Sequence, residues 1–413
     1  MAAQPERPMA RAGGPPPTSR VMAVPDRRHP TGDGKPLVAV PAIPDVLVPH
    51  LQDAWRGGPA VLPLDPRLPP RLRGALVAAL KPGSIAKPGG LVTLPGGVPV
   101  ADDTVALVPT SGSTGMPKGV VLSRSALGAS VARGLARTTS DPAVPWVCCL
   151  PVSHVGGILV LLRAIVSGTP AITFDRFDAA EVAALDGPVH LAVVPTMLRR
   201  LIDAGADPAA WATVLVGGAR MPADLAAAVP HATSTYGMTE TAGGCVYDGK
   251  PLDGVQVASG GDGRLRIAGP TLMDGYRLTV PAGIDPDGWF TTDDIGEVSA
   301  EGTVTVLGRA DDVIVTGGEK VVASQVAARL EEHPAVAEAE VIGVPDAQWG
   351  QRAVAVVVPA QVGAILSLAL LRSFVADVMP RYAAPQELMV VNTLPRLANG
   401  KVDRTALRQA VGA

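Results

Sequence analysis

Between Trp146 and Val229 short apolar runs alternate with stretches of helical pattern, and this alternation constrains the fold more than any other feature. The runs are Trp146–Leu150, Ala171–Phe174, His190–Val194 and Thr213–Val216. The helical stretches are one carrying Arg163, then Ala179–Leu185, Thr196–Ala204 and Ala223–Val229. Short, continuously apolar strands, each followed by a helix, predict a parallel sheet covered on both faces. Neighbouring Cys148 and Cys149 should then point to opposite sides of one strand. Ligands of such sheets bind at the carboxyl ends of the strands. Four segments are expected to follow strands and converge on one rim: Thr110–Val120, His154, the turn Gly217-Gly218-Ala219 and the stretch Thr235-Tyr236-Gly237.

The flanking regions read differently. Upstream, Leu51–Trp55 and Arg71–Leu80 look helical, Ala60–Leu62 is a short strand, and Pro82–Pro99 is a Gly/Pro-rich connector. Ser123 can cap a helix running to about Ala136. From about Val255 short strands and turns prevail, among them Arg264–Ile267 and Gly302–Leu307. Beyond Gly308–Asp312, helix Ala323–Glu332, strands around Ala339–Val344 and Ala353–Val358, and helix Leu366–Val378 form a compact α+β unit. A chain of 413 residues exceeds what one core usually serves. The expected fold class is therefore α/β. A large N-terminal domain spans 36–308, with parallel α/β subdomains and a small β-rich subdomain, and an α+β C-terminal domain spans 309–413. Residues 1–35, rich in Pro, Arg and Gly, read as a disordered extension.

Composition excludes several functions. A net charge of −3 and an aromatic content of 3% argue against a nucleic-acid surface. No apolar run reaches the ~18 residues of a membrane span, so no membrane insertion is expected, and the N-terminus lacks an apolar core of signal-peptide length. Three cysteines, 148, 149 and 245, make neither a disulfide framework nor a metal-ligand spacing. A reducing cytoplasm fits.

The stretch Thr110-Ser111-Gly112-Ser113-Thr114-Gly115-Met116-Pro117-Lys118-Gly119-Val120 lies between two apolar runs. Its glycines let backbone approach an anion, its hydroxyls and N–H groups can wrap a phosphate, and Lys118 adds a point charge. It is not a Walker A loop, because Pro117 precedes the lysine and Gly119 follows it. A polar hairpin is the plainer reading. Tyr236-Gly237-Met238-Thr239-Glu240-Thr241 joins a ring that could stack on a purine, hydroxyls for a phosphate oxygen, and a carboxylate suited to Mg²⁺ on a nucleotide. A capped helix start is the alternative. In Trp289–Asp294 two carboxylates are read as following a strand, and Asp294 could accept from ribose hydroxyls. Arg309 could add a contact, or simply pair with Asp311 or Asp312. Lys401 sits in a terminal turn after Gly400.

In order, these motifs resemble the adenylate-forming superfamily of acyl-CoA synthetases, peptide-synthetase adenylation domains and luciferases, from about residue 37 onward. The resemblance implies ATP, Mg²⁺ and coenzyme A. Thr110, Ser111, Gly112, Ser113, Thr114, Gly115 and Lys118 would hold the outer phosphates. Thr239 and Glu240 would serve the α-phosphate and Mg²⁺. Gly217, Gly218, Ala219, Thr235, Tyr236, Gly237 and Met238 would frame the nucleotide, and Asp294 and Arg309 would hold its ribose. Asp311 would be the hinge, within 309–312, of a mobile C-terminal domain that carries Lys401 to the substrate carboxylate. One departure is Asp293, where the superfamily usually has glycine. More narrowly, Thr235–Gly249 and Pro251–Gly254 look like the o-succinylbenzoate:CoA ligases of menaquinone biosynthesis in their short actinobacterial form, and the Asp293 variant is similar to that form too. This implies an aromatic dicarboxylic acid as partner, with Arg163, nine residues after His154, at the position of the family's substrate-binding arginine. Ser153, His154, Thr235 and Gly243 would border the acyl pocket, and Gly317–Lys320 would lie near the thiol site. A buried structural ion pair is the alternative for Arg163. Another aryl- or acyl-CoA ligase, or a carrier-loading adenylation enzyme, is the neighbouring function; a non-enzymatic nucleotide-binding protein ranks last. A homo-oligomer is compatible with all of these.

Overall fold

The computed structural model describes residues 34–111, 117–138, 140–278, 283–361, 366–396 and 402–412. Two seven-stranded sheets dominate. The first runs, by position, Gly275–Tyr276, Pro117–Ser123, Thr104–Ser111, Ala60–Leu64, Leu37–Pro41, Ser84–Lys87 and Gly90–Thr93. The second runs Lys250–Pro251, Gly243–Tyr247, Ala232–Met238, Trp211–Val216, Val189–Val193, Trp146–Cys148 and Ile172–Thr173. Their centres are parallel, as the alternating pattern predicts; three of their four edges are antiparallel pairs, and Ile172–Thr173 ends the second sheet in parallel with Trp146–Cys148.

Each central strand contributes alternate residues to two cores. In the first sheet Val38 and Val40 face inward, while Leu37 and Ala39 pack with Leu76 and Leu80 of helix Pro70–Leu80. In the second, Trp146 and Cys148 face the same inner core, while Val147 and Cys149 pack against Leu198 and Leu201 of helix Pro195–Asp203. The two cysteines do point to opposite sides, and burial pushes the Cys149 thiol up to about 12. The inner core is shared by helices Pro44–Arg56, Arg124–Thr138 and Val155–Ser167. The last is buried continuously from Gly157 to Ala164 and is apolar on every side but one, where it carries Arg163. A helix apolar all round belongs between two sheets.

A four-stranded antiparallel sheet follows, built from Gln256–Ser259, Arg264–Ala268, Phe290–Val298 and Val304–Arg309. Residues 314–411 bury two cores of their own on either face of a five-stranded sheet: helices Ala323–Glu331 and Leu368–Ala376 cover one face, and Leu394 and Leu407 the other.

Three readings need correction. The Pro82–Pro99 connector holds a hairpin, Ser84–Lys87 with Gly90–Thr93, turned by Gly89 and Gly90 at positive φ. All four residues of its outer strand are exposed, so it carries no apolar alternation to read. Thr235–Gly237 lies within strand Ala232–Met238, not after it. Gly237 reads as a turn glycine, but its role is close approach: a Cβ there would lie 2.0 Å from the Gly243 carbonyl oxygen. Asp293 and Asp294 likewise lie inside strand Phe290–Val298, where arginines and a tyrosine pair with them.

The loop bearing Ser153 and His154 is held by Gly157, whose Cβ would meet the Pro151 carbonyl oxygen at 2.5 Å, whereas one on Gly156 would meet only the Leu150 side-chain tip at 3.2 Å. Gly157→Ala should therefore cost about 1–3 kcal/mol in urea unfolding. Gly156→Ala should be near neutral. Equal effects of the two would contradict this account of the loop.

Candidate active site

The hairpin Thr104–Ser111/Pro117–Ser123 pairs Thr110 with Lys118. Gly112, Ser113, Thr114 and Gly115 lie outside the described residues, as does Lys401, and nothing is described of the Ser111 side chain. Lys118 is placed by a residue that the motifs did not single out. Its Nζ sits 5.1 Å from the centre of the Tyr276 ring, and the Tyr276 hydroxyl donates to Glu240 Oε1 at 3.0 Å. Tyr276 is there because the short strand Gly275–Tyr276 pairs with Val120 and Val121, directly beyond Lys118. Burial, then the Glu240 and Asp293 charges, push the Tyr276 hydroxyl up, so it remains a neutral donor at physiological pH. One ring thus brings the lysine proposed for the outer phosphates beside the carboxylate proposed for Mg²⁺. A lone Asp-Gly-Tyr offers little sequence signal beyond the scarcity of tyrosine in this chain, which has four.

Tyr236 makes a second such link. Its hydroxyl donates to Asp294 Oδ2 at 2.8 Å. Arg309, opposite Asp294 in the strand register, approaches Asp294 Oδ1 at 3.7 Å, Asp293 Oδ2 at 3.5 Å and Asp311 Oδ1 at 2.9 Å. So Arg309 does pair with Asp311, and it joins the two strand aspartates as well. Asp293 also accepts from Arg264 at 3.2 Å, which gives the departure from glycine a structural partner. Burial raises the Asp294 pKa; the Tyr236 hydrogen bond and Arg309 oppose that, and the Asp293 and Asp311 charges add to it.

The Gly217 turn closes against Thr235. A Cβ on Gly217 would stand 2.5 Å from Thr235 Oγ1, and Thr235 Oγ1 donates to the Val216 carbonyl at 3.3 Å. Gly218 holds φ +79°. After Met238 the chain turns through Thr239–Thr241, where Thr241 Oγ1 accepts from the Met238 N–H at 2.9 Å and donates to the Gly243 carbonyl at 2.7 Å. Thr239 and Glu240 stay half-buried on that turn.

On the acyl side, His154 is the exposed residue preceding helix Val155–Ser167, and buried Ser153 donates to Asp65 Oδ2 at 3.5 Å. Asp65, also unforeseen, is held below the usual carboxylate range by Arg67. Gly243, at φ +85°, packs on the same helix: a Cβ there would overlap Leu159. Arg163 is 4% exposed. Among the described residues no carboxylate lies within 4.0 Å of it, so the structural ion pair is absent there. Gly317 and Gly318 turn a hairpin of the C-terminal sheet, and Lys320 on it is exposed.

Comparison with known proteins agrees with this layout. The AMP-binding enzyme profile matches residues 78–277, and the AMP-binding enzyme C-terminal domain matches 325–401. A Mycobacterium tuberculosis protein named "Probable 2-succinylbenzoate--CoA ligase" is 40% identical over 332 residues, covering 75% of this chain and 85% of that protein. The chain belongs to the AMP-binding enzyme family. A 2-succinylbenzoate--CoA ligase of Bacillus cereus is 34% identical over 348 residues, covering 75% of this chain and 70% of that one. Among solved structures, o-succinylbenzoate CoA synthetase from Bacillus subtilis with its acyl-adenylate intermediate aligns with a TM-score of 0.77 at 23% identity, covering 91% and 88% of the two chains. The amide bond synthetase of Marinactinospora thermotolerans aligns at 0.80 and 21%, covering 91% and 90%. These two establish the fold of an adenylate-forming enzyme, with a large N-terminal and a smaller C-terminal part.

For a family that binds AMP, the Tyr236–Asp294 hydrogen bond makes a pH prediction. The bond favours the ionised carboxylate, so removing it raises the Asp294 pKa further. In Tyr236→Phe the acid limb of the pH profile of kcat/KM for ATP should move to higher pH. An unmoved limb, or one moved down, would show that Asp294 is not the titrating group.

Proposed function

We propose that this protein is a Mg·ATP-dependent acid–thiol ligase that activates o-succinylbenzoate as an acyl-adenylate and transfers the acyl group to coenzyme A, a step of menaquinone biosynthesis. The observation that carries the choice of acid is Arg163. A buried guanidinium with no carboxylate partner among the described residues is costly to keep. A substrate with two carboxylates offers one for chemistry and one for this cation. The relatives named as ligases of that acid agree with it.

The proposed chemistry divides among these residues. The aliphatic carboxylate oxygen attacks the α-phosphorus, the bond to pyrophosphate breaks, and negative charge builds on the phosphates. Lys118 faces the outer phosphates, and Thr239 the α-phosphate. Glu240 would hold Mg²⁺, which neutralises phosphate charge when bound. The donor fits such an ion: one carboxylate oriented by the Tyr276 hydroxyl suits Mg²⁺ shared with phosphates. Asp294 and Arg309 hold the ribose, and Tyr236 and the Gly217–Ala219 turn lie at the base. Lys401 pairs with the carboxylate during adenylation. In the second step the coenzyme A sulfur attacks the acyl carbonyl carbon and AMP leaves.

We propose domains 36–308 and 309–413, hinged at 309–312 about Asp311. The separate cores beyond residue 314 support this, and so does Asp312, which pairs with Arg404 and Arg408, just after Lys401. Rotation there would carry Lys401 with the hinge. Among the described residues no helix is long and apolar enough to cross a membrane. We place the protein in the cytoplasm, where ATP and coenzyme A are available and where three free cysteines are stable.

Coenzyme A ester formation should be strong with o-succinylbenzoate and weak with benzoate and a fatty acid. Comparable rates with all three would point instead to a general ligase, and acyl transfer only to a carrier protein would reject coenzyme A. Lys401→Ala should abolish ATP–pyrophosphate exchange yet leave thioester formation from preformed adenylate largely intact; equal loss of both steps contradicts its role.

A further inference from the structure

We infer that Tyr247 and Trp146 are positioning residues that hold the Arg163 guanidinium for the ring carboxylate of the acid; this rests on the proposed function and deepens it. Arginine has five N–H donors and needs a rigid frame to present a fixed pair of them. Among the described residues Arg163 makes one hydrogen bond, from Nη2 to the Tyr247 hydroxyl oxygen at 3.3 Å. Its Nε is buried and has no hydrogen-bond partner among the described residues. The guanidinium carbon lies 4.9 Å from the centre of the Trp146 ring, inside the range for attraction to the ring face.

Both holders are fixed from behind. Trp146 is fully buried in the second sheet, and its ring lies 4.9 Å from His190 of the next strand, the two tilted by 37°. His190 is tied in turn, with Nε2 2.8 Å from the Asp141 carbonyl oxygen. Tyr247 ends the strand Gly243–Tyr247 and is 1% exposed. Because its oxygen accepts from Arg163, its own proton remains a donor for the same anion. The third wall is Gly134 of helix Arg124–Thr138: a Cβ there would stand 2.8 Å from the Tyr247 hydroxyl and 3.7 Å from Arg163 Nη2. Three elements far apart in sequence thus surround one guanidinium with a ring face, a hydroxyl and a missing side chain. The framing groups are neutral. A carboxylate in their place would neutralise the cation and leave nothing for a ligand.

The test compares o-succinylbenzoate with 4-oxo-4-phenylbutanoate, which lacks only the ring carboxylate. Tyr247→Phe is nearly isosteric, and Gly134→Ala acts on the same hydroxyl from another helix. Each should raise the KM for o-succinylbenzoate about five-fold or more, as expected for a lost hydrogen bond to a charged group. The KM for ATP and for 4-oxo-4-phenylbutanoate should stay unchanged. Trp146→Leu should act in the same direction. A rise shared equally by both acids would mean general packing, and no rise would mean no positioning; either overturns the inference. The underlying reading fails separately, in the unaltered protein, if the two acids have equal KM or if Arg163→Lys leaves their discrimination unchanged.

Discussion

Everything at the site hangs from the inner core, where helices Pro44–Arg56, Arg124–Thr138 and Val155–Ser167 are clamped between two seven-stranded sheets. Each sheet supplies alternate side chains to it, and neither sheet can shift without opening a void. The helix Val155–Ser167 is the keystone of that layer. Its first residues follow the His154 loop at the carboxyl end of a strand, and its buried length delivers Arg163 to the far end of the same core. Gly157 and Gly243 exist to let it pack so closely: one beneath its own loop, the other beneath Leu159.

Tyrosines then orient the charged groups. Tyr276 stands between Lys118 and Glu240, Tyr236 donates to Asp294, and Tyr247 accepts from Arg163. Burial keeps the first two hydroxyls neutral well above physiological pH. A neutral hydroxyl orients a charged group without cancelling its charge, which leaves lysine, carboxylate and guanidinium available to a charged ligand. In a chain with four tyrosines, three are spent in this way.

The C-terminal unit depends on a different interaction. Asp312 and Glu340 both pair with Arg404, on helix Arg404–Ala410. Just before residue 309, Gly308 lies so close to Ser324 that a Cβ would overlap its hydroxyl, and Ser324 Oγ donates to the Leu307 carbonyl at 2.8 Å. The segment 309–312 is thus held at both ends, by packing on one side and ion pairs on the other.

The chain by itself determined the alternating architecture, because period and length of apolar runs are local properties: the strands and helices from Trp146 to Val229 stand within a few residues of their expected places. It also marked Lys118, Glu240, Tyr236 and Asp294 as candidates, since phosphate, metal and ribose chemistry would restrict residue type. Tertiary structure alone decided how they meet. Tyr276, Asp65 and Gly134 are single residues on distant elements that no local pattern marks, and Tyr247, though inside the Thr235–Gly249 stretch, carries no local sign of its contact with Arg163. It also decided that Tyr236 and Asp294 sit inside strands, because glycine and aspartate signal turns only until another backbone or an arginine lies beside them. Whether Arg163 had a partner was likewise beyond the sequence, for a buried charge is defined by what surrounds it in space.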